Sequence, residues 1–266
     1  MASARPSDST PLRGKHAVVT GGGKGLGAAI AAELARLGAS LSLLGRSLAD
    51  LDAAAARLSR EHGVDVVAVQ CDVRDDAAIT NAFETLRQRA EAPYILVNNA
   101  GQADAAPFAD TTREMWERML AVNLTAHYLC AQQVLPAMIA RRAGRIVNIA
   151  STAGLKGYAG TTAYTASKHG VIGLTRALAL ETAKLGVTVN AVCPGYAETD
   201  MSERAAANIA GATGRTLEEA RQRLRRTNPR GTLIKPEEVA NAVGWLCSPD
   251  AGAITGQAIV VAAGEL

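Results

Sequence analysis

Cysteine and histidine are scarce in this chain, with four of each among 266 residues. Cys71, Cys130, Cys193 and Cys247 lie far apart, and no Cys-x-x-Cys or mixed Cys/His spacing occurs that would build a zinc site or a redox pair. Reduced, buried thiols are expected. His16, His62, His127 and His169 are equally scattered, so no metal site is expected either. Long apolar runs are missing, which excludes a membrane-spanning helix. The stretch Met1 to Gly14 is rich in Ser, Pro, Thr and Asp and lacks the apolar core of a secretion signal. It predicts a flexible leader over residues 1–13 and a cytoplasmic protein. Positive charge is not concentrated: 28 Lys and Arg against 25 Asp and Glu leave a net charge of +3, without the basic tract of a nucleic-acid binder.

What the chain does contain is 48% apolar residues, enough for one large α/β domain over residues 14–266. From His16 onward, short β-branched runs alternate with longer amphipathic ones, the pattern of parallel strands joined by crossover helices. Strands are expected at His16 to Thr20, Ser40 to Leu44, Asp65 to Cys71, Tyr94 to Asn98, Arg145 to Ile149, Thr188 to Cys193 and Gln257 to Val261. Helices are expected near Gly25 to Leu37, Ser47 to His62, Asp76 to Ala90, Thr112 to Arg141, Thr162 to Leu185 and Pro236 to Cys247. Ser47 suits a helix cap and Pro236 a first turn. The fold predicted is a doubly wound sheet of seven parallel strands with helices on both faces. One region breaks the rhythm: residues 198–230 carry no strand, contain a Gly211-Ala212-Thr213-Gly214 breaker and include an Arg-rich helical stretch from Thr216 to Arg226. Such an excursion reads as a substrate lid or as a surface insertion.

Tyr164 and Lys168 are four residues apart on the expected helix and therefore share one face. An ammonium beside a phenol favours the phenolate, so Lys168 is expected to lower the Tyr164 pKa towards working pH, as general acid–base catalysis requires. Ser151, thirteen residues before Tyr164, follows the strand-like run ending at Ala150. Its hydroxyl is placed at a strand end, where open α/β sheets bind their ligands.

The first strand leads into Thr20-Gly21-Gly22-Gly23-Lys24-Gly25-Leu26-Gly27, a glycine turn before a helix. Such a turn lets backbone N–H groups approach a pyrophosphate, although the spacing departs from the usual G-x-G-x-x-G. After the second strand, where NAD enzymes commonly hold an acidic residue, stand Gly45 and Arg46. Arg46, with Lys24, can pair with a ribose 2′-phosphate, which points to NADPH rather than NADH.

These matches occur in order over residues 14–264, and the chain resembles the short-chain dehydrogenase/reductase family. The resemblance rests on Thr20, Gly21, Gly25 and Gly27, then Asp72, Asn98-Asn99-Ala100-Gly101, Asn123, Ser151, Tyr164, Lys168, Asn190, Pro194, Gly195 and Thr199. It implies a Rossmann-type fold. It also implies that Tyr164 protonates a carbonyl oxygen while hydride arrives from the nicotinamide, that Ser151 hydrogen-bonds that oxygen, and that Lys168 binds the nicotinamide ribose. Asn123 would hold a water linking Lys168 to solvent. Gly23, Lys24, Leu26, Arg46, Asp72, Val73, Asn99, Ala100, Gly101, Pro194, Gly195, Ala197 and Thr199 would contact the cofactor, and Asn98 would support the adjoining loop. Ala197 replaces a usual Val or Ile, and Ala262-Ala263-Gly264 replaces a usual Asp-Gly-Gly, which bears on the homotetramer or homodimer that the family implies.

Residues 144–201 most resemble the ketoreductases of fatty-acid and aromatic polyketide synthesis, which implies reduction of a 3-oxoacyl thioester. Gln102, Ala103, Thr152, Tyr158, Tyr196 and Met201 are expected to line the substrate pocket with Ser151; Tyr158 serves equally as loop packing. Arg142 matches one of two arginines that engage an acidic carrier protein, while the second position is Leu185, next to Lys184. A coenzyme A thioester or a free cyclic ketone fits as well. Arg221, Arg223, Arg225 and Arg226 would lie near its phosphates or simply cover a helix. Two other readings stay open: a secondary-alcohol dehydrogenase running oxidatively with NAD(P), and a catalytically idle dinucleotide-sensing scaffold.

Overall fold

A computed structural model describes residues 10–266 of the chain. Seven parallel strands form one sheet: β1 (His16–Thr20), β2 (Ser40–Gly45), β3 (Val66–Gln70), β4 (Ile95–Asn98), β5 (Gly144–Ile149), β6 (Val187–Pro194) and β7 (Ala258–Val261). Their spatial order is β3-β2-β1-β4-β5-β6-β7, every neighbouring pair parallel. The winding reverses between β1 and β4. Crossovers on either side of that switch point leave on opposite faces, so a crevice opens at the carboxyl ends of these strands. β1, β4, β5 and β6 are buried along their whole length, which is why they read as near-continuous Val, Ile and Leu runs.

The helices are α1 (Gly25–Arg36), α2 (Leu48–His62), α3 (Asp76–Arg89), α4 (Arg113–Leu120), α5 (Ala126–Ala140), α6 (Thr162–Thr182), α7 (Asp200–Thr213), α8 (Leu217–Arg225) and α9 (Pro236–Cys247). On one face α1, α2 and α9 bury Ile30, Leu34, Leu51, Leu58, Val239 and Val243 against β1 and β2. On the other, α3, α5 and α6 bury Phe83, Leu86, Val134, Met138 and Ala179. Ser47 caps α2 by accepting from the Asp50 N–H, and Pro236 stands in the first turn of α9.

Three expectations need correction. The helix expected from Thr112 to Arg141 is divided by a π-helical turn at Ala121–Thr125, where the Ala126 N–H bonds the carbonyl of Ala121, five residues back. Asn123 lies inside that turn and is fully buried, so the wider turn serves to seat a polar side chain in the core. In residues 198–230 the chain forms two helices, not one. Gly211 is helical and only Gly214, at φ +68°, ends α7, because a single left-handed residue suffices for the C-cap. Of the expected leader, residues 1–9 lie outside the described residues. Leu12 is fully buried and its N–H bonds the Leu37 carbonyl, so the last leader residues are anchored to the domain.

Candidate active site

A cleft of about 1740 Å³ runs along the carboxyl ends of the strands, from Arg46 past Ser151 and Tyr164 to helices α7 and α8. Its floor at β1 is the glycine turn. Gly21 and Gly25 adopt φ of +67° and +52°, and a Cβ on Gly27 would fall 2.0 Å from the Gly21 carbonyl oxygen. The turn therefore admits no side chain at Gly27, and α1 starts against it. The N-cap Lys24 makes no side-chain cap and the first turn holds no acidic residue, so free N–H groups of α1 point at the cleft beside Gly25 and Leu26. An uncapped N-terminus of this kind suits the charge of a pyrophosphate, and the residues present fit a dinucleotide.

Thr20 does not line the cleft. Its hydroxyl accepts from the N–H groups of Asn99 and Ala100, both at 3.0 Å, and Asn99 Nδ2 donates to the Thr20 carbonyl at 2.9 Å. It braces the turn from behind. Gly23, Asn99, Ala100 and Gly101 line the cleft as expected.

At the β2 end Arg46 is exposed on the cleft, its carbonyl accepting from Gln70 Nε2 at 2.8 Å. Lys24 is not free: its Nζ lies 2.9 Å from the Asp50 carboxylate. Hydrogen bonds from Ser47 and then from Lys24 hold the Asp50 carboxyl below its usual value. Sequence reading missed Asp50, since an acid in a first helical turn looks like ordinary capping. Asp72 and Val73 were expected beside the adenine, but neither lines the cleft. Asp72 is gripped by Arg74 at 2.5 Å, and Val73 is buried in the α3 face of the core.

The central group comes from three elements. Ser151 lies two residues past the end of β5 and accepts from the Ala153 N–H at 3.1 Å, which fixes its oxygen and leaves its hydrogen to donate. Tyr164 and Lys168 lie one turn apart on α6, with Lys168 Nζ 5.8 Å from the Tyr164 ring centre. Lys168 is 3% exposed and donates to the Ile149 carbonyl at 2.7 Å. The expected lowering of the Tyr164 pKa is not found. Burial pushes that phenol up to about 12, against a smaller pull from the Ser151 hydrogen bond, and burial drives Lys168 down to about 8. Desolvation is the largest cause at both groups. The phenol is therefore held protonated, as a proton donor must be.

Asn123 reaches the site through its neighbours. Its amide donates to the carbonyls of Gln102 and Met119 at 2.8 and 3.1 Å and accepts from the Gln102 N–H at 3.1 Å. It pins the Gly101 to Gln102 backbone, and a Cβ on Gly101 would come within 2.9 Å of Asn123 Oδ1 and 3.8 Å of Lys168 Nζ.

Pro194 ends β6, and Gly195, Ala197 and Thr199 follow it along the cleft, with Ala197 bridged to Ile234. Of the expected pocket residues, Ala103, Thr152, Tyr158, Tyr196 and Met201 line the cleft. Gln102 does not, because its side chain turns to Asp104 at 3.1 Å. Tyr158 both lines the pocket and packs the loop. Its hydroxyl donates to Glu265 and, 2.7 Å away, meets the Thr152 hydroxyl. Glu265, absent from the sequence reading, is a buried carboxylate paired with Lys156 at 3.2 Å; its Oε2 has no hydrogen-bond partner among the described residues and faces Gly195. Its position next to the C-terminus gave no signal. Arg142 lies off the cleft, at φ +52°, with Nη2 donating to the Lys184 carbonyl at 2.8 Å.

All four cysteines are unpaired and buried. Among the described residues no group of His, Cys, Asp or Glu could hold a metal, and no helix is long and apolar enough to cross a membrane.

The short chain dehydrogenase family model matches residues 15–210. A protein of Streptomyces violaceoruber, named for a ketoacyl reductase role in the granaticin polyketide synthase, is 43% identical over 250 residues, 93% of this chain and 92% of the relative. The 3-oxoacyl-[acyl-carrier-protein] reductase of Aquifex aeolicus is 40% identical over 253 residues, 95% of this chain and 98% of that one. A crystal structure of a variant actinorhodin polyketide ketoreductase with NADPH superposes with a TM-score of 0.91 at 38% identity, covering 97% of this chain and 98% of that one.

Proposed function

The chain belongs to the short chain dehydrogenase family, and from that premise we propose that it reduces the keto group of a 3-oxoacyl thioester to a secondary alcohol with NADPH. The observation that carries the reading is the convergence of Ser151, Tyr164 and Lys168 on the wall of a cleft whose other end is an uncapped helix N-terminus behind a glycine turn. When bound, the reduced nicotinamide supplies the hydride that the carbonyl carbon accepts. The Ser151 hydroxyl, oriented by the Ala153 N–H, donates to the substrate oxygen and holds it against Tyr164. Tyr164, kept protonated by burial, gives its proton to that oxygen as negative charge develops there. Lys168, fixed by the Ile149 carbonyl, lies beside the phenolate so formed and stabilises it until a proton returns. Asn123 holds the Gln102 backbone in place beside the cleft.

NADPH rather than NADH is the donor in this reading. Among the described residues Arg46 has no carboxylate within ion-pair distance and lines the cleft where a ribose 2′-phosphate would lie, and Lys24 can exchange Asp50 for a phosphate. Assembly as a homotetramer or homodimer is the family's expectation, and the exposed Leu180 on α6 and Trp245 on α9 are available as apolar contacts. A cytoplasmic location suits the four unpaired thiols.

The test is NADPH consumption with acetoacetyl-CoA as the probe. Tyr164→Phe should lower kcat by about 10²–10⁴-fold, the usual worth of a positioned acid, while NADPH fluorescence titration shows unchanged affinity. Full turnover in that variant would remove Tyr164 from the reaction.

A further inference from the structure

The C-terminal turn, where Ala262-Ala263-Gly264 stands in place of a usual Asp-Gly-Gly, delivers a buried carboxylate that the reduction itself does not use. Ala263 and Gly264 adopt φ of +49° and +90°, and the Glu265 N–H bonds the Ala262 carbonyl at 3.1 Å. A left-handed alanine is strained, because its Cβ crowds the backbone there. That strained turn sends the Glu265 side chain inward, where it is 2% exposed.

Glu265 stands between two segments that line the cleft. On one side its Oε1 accepts from the Tyr158 hydroxyl and lies 3.2 Å from Lys156 Nζ, while the Tyr158 hydroxyl meets that of Thr152 at 2.7 Å. Lys156 also donates to the Glu265 carbonyl at 3.3 Å and lies 5.1 Å from the centre of the Tyr158 ring. On the other side Oε2 faces Gly195, where a Cβ would come within 2.8 Å of it. Burial, and after it the Glu265 charge, pushes the neighbouring Tyr196 phenol up. The hold on Tyr158 extends to the catalytic helix: its carbonyl accepts from the Thr161 hydroxyl at 3.0 Å, and Thr161 is the N-cap of α6, which carries Tyr164 in its first turn.

Ser151 and Tyr164 act on one substrate oxygen, so the groups attached to that carbonyl pass the loop that joins the two residues. Thr152, Ala153, Tyr158, Ala159, Gly160 and Thr161 line the cleft along this loop, and Tyr158 is the one large side chain among them. Its hydroxyl is engaged by Glu265 and Thr152, which leaves the ring to meet a substrate. Resting on the reductase reading, we infer that Glu265 is a positioning residue: it fixes the Tyr158 ring as an apolar wall that limits the length of acyl chain accepted beside Ser151 and Tyr164. A hydrogen bond to a carboxylate is about twice as strong as a neutral one. Without it Tyr158 keeps only the Thr152 hydroxyl as a partner, and the ring can turn aside to admit a longer chain.

The experiment measures kcat/KM at saturating NADPH for the acetoacetyl and 3-oxooctanoyl thioesters of N-acetylcysteamine, which differ only in acyl length. The readout is the ratio of the longer to the shorter in wild type, Glu265→Ala, Glu265→Gln, Tyr158→Phe and the Glu265→Ala/Tyr158→Phe variant. Glu238→Gln, which weakens the ion pair with Arg230 away from the cleft, is the control for general loosening. The ratio should rise about fivefold or more in Glu265→Ala, the factor to which one lost hydrogen bond corresponds, chiefly through a lower KM for the longer thioester. Tyr158→Phe should show the same rise, and the double variant should rise no further than the larger single one. Glu265→Gln, which keeps an acceptor, should stay near wild type. An unchanged ratio in Glu265→Ala, an equal rise in Glu238→Gln, or rises that multiply in the double variant would overturn the role of Glu265 while leaving the reductase reading intact. Should Glu265→Ala not fold, Tyr158→Phe decides: a wild-type ratio there overturns the wall. A wild type that consumes no NADPH with either thioester overturns the reductase reading and the inference with it.

Discussion

Tyr164 and Lys168 illustrate how burial sets the protonation of a pair that the sequence can only place side by side. A lysine alone would pull the phenol down, but desolvation in the cleft floor pushes both groups towards their neutral forms. Glu265 works by the complementary rule. A carboxylate only accepts, so the Tyr158 hydroxyl must donate to it, and the Thr152 hydroxyl must then donate to Tyr158. The order fixes the ring of Tyr158 against the pocket. Glu265→Ala should cost about 1.5–3 kcal/mol, the worth of a hydrogen bond to a charged group, read as a drop in the urea midpoint. Glu265→Gln, which retains an acceptor, should recover most of that loss, and Tyr158→Phe should make the Glu265→Ala cost much smaller. Additive losses in the double variant would show that the two side chains do not act through each other.

At the scale of elements, the sheet was almost fully legible. Buried parallel strands are Val- and Ile-rich runs, and caps such as Ser47 and Pro236 mark helix starts whatever the tertiary context. The π turn at Asn123 was not legible, because the helical pattern continues through it and only the need to seat a buried amide widens it. Nor was the absence of Thr20, Asp72, Val73 and Gln102 from the cleft lining, since motif position gives nearness to a ligand but not side-chain direction. Gly27 was named as part of the cofactor turn, and the geometry makes it the strictest position there. Gly27→Ala puts a methyl 2.0 Å from the Gly21 oxygen, so α1 must move away from the turn. NADPH affinity should fall more than tenfold by titration, about 1.4 kcal/mol or more, with the far-UV spectrum retained. Unaltered affinity would mean that α1 does not define the phosphate end of the cleft.

For the whole molecule, buried imidazoles set the response to acid. His127 is fully buried on α5, with neither ring nitrogen hydrogen-bonded to a side chain among the described residues, and burial followed by the nearby Lys168 holds its pKa well below 6.5. His16 is also depressed, by burial that outweighs its bond to the Glu91 carbonyl. As pH falls below about 6.5 the unfolded chain takes up protons at these positions that the folded chain refuses, so stability declines with acid and returns as pH rises. Each histidine contributes a slope of up to about 1.4 kcal/mol per pH unit there. Carboxylates such as Glu238, held at about 2 by Arg230, act only at lower pH. At the alkaline end the Tyr164 phenol, raised to about 12, keeps its proton while the unfolded chain loses it above about 10, so stability falls again there. Between pH 7 and 5 the urea midpoint of the wild-type chain should therefore drop steadily. His127→Leu replaces the imidazole by an apolar group in a buried site and should flatten that decline by roughly half, one of two comparable slopes being removed. An identical decline in His127→Leu would place the acid sensitivity elsewhere in the molecule.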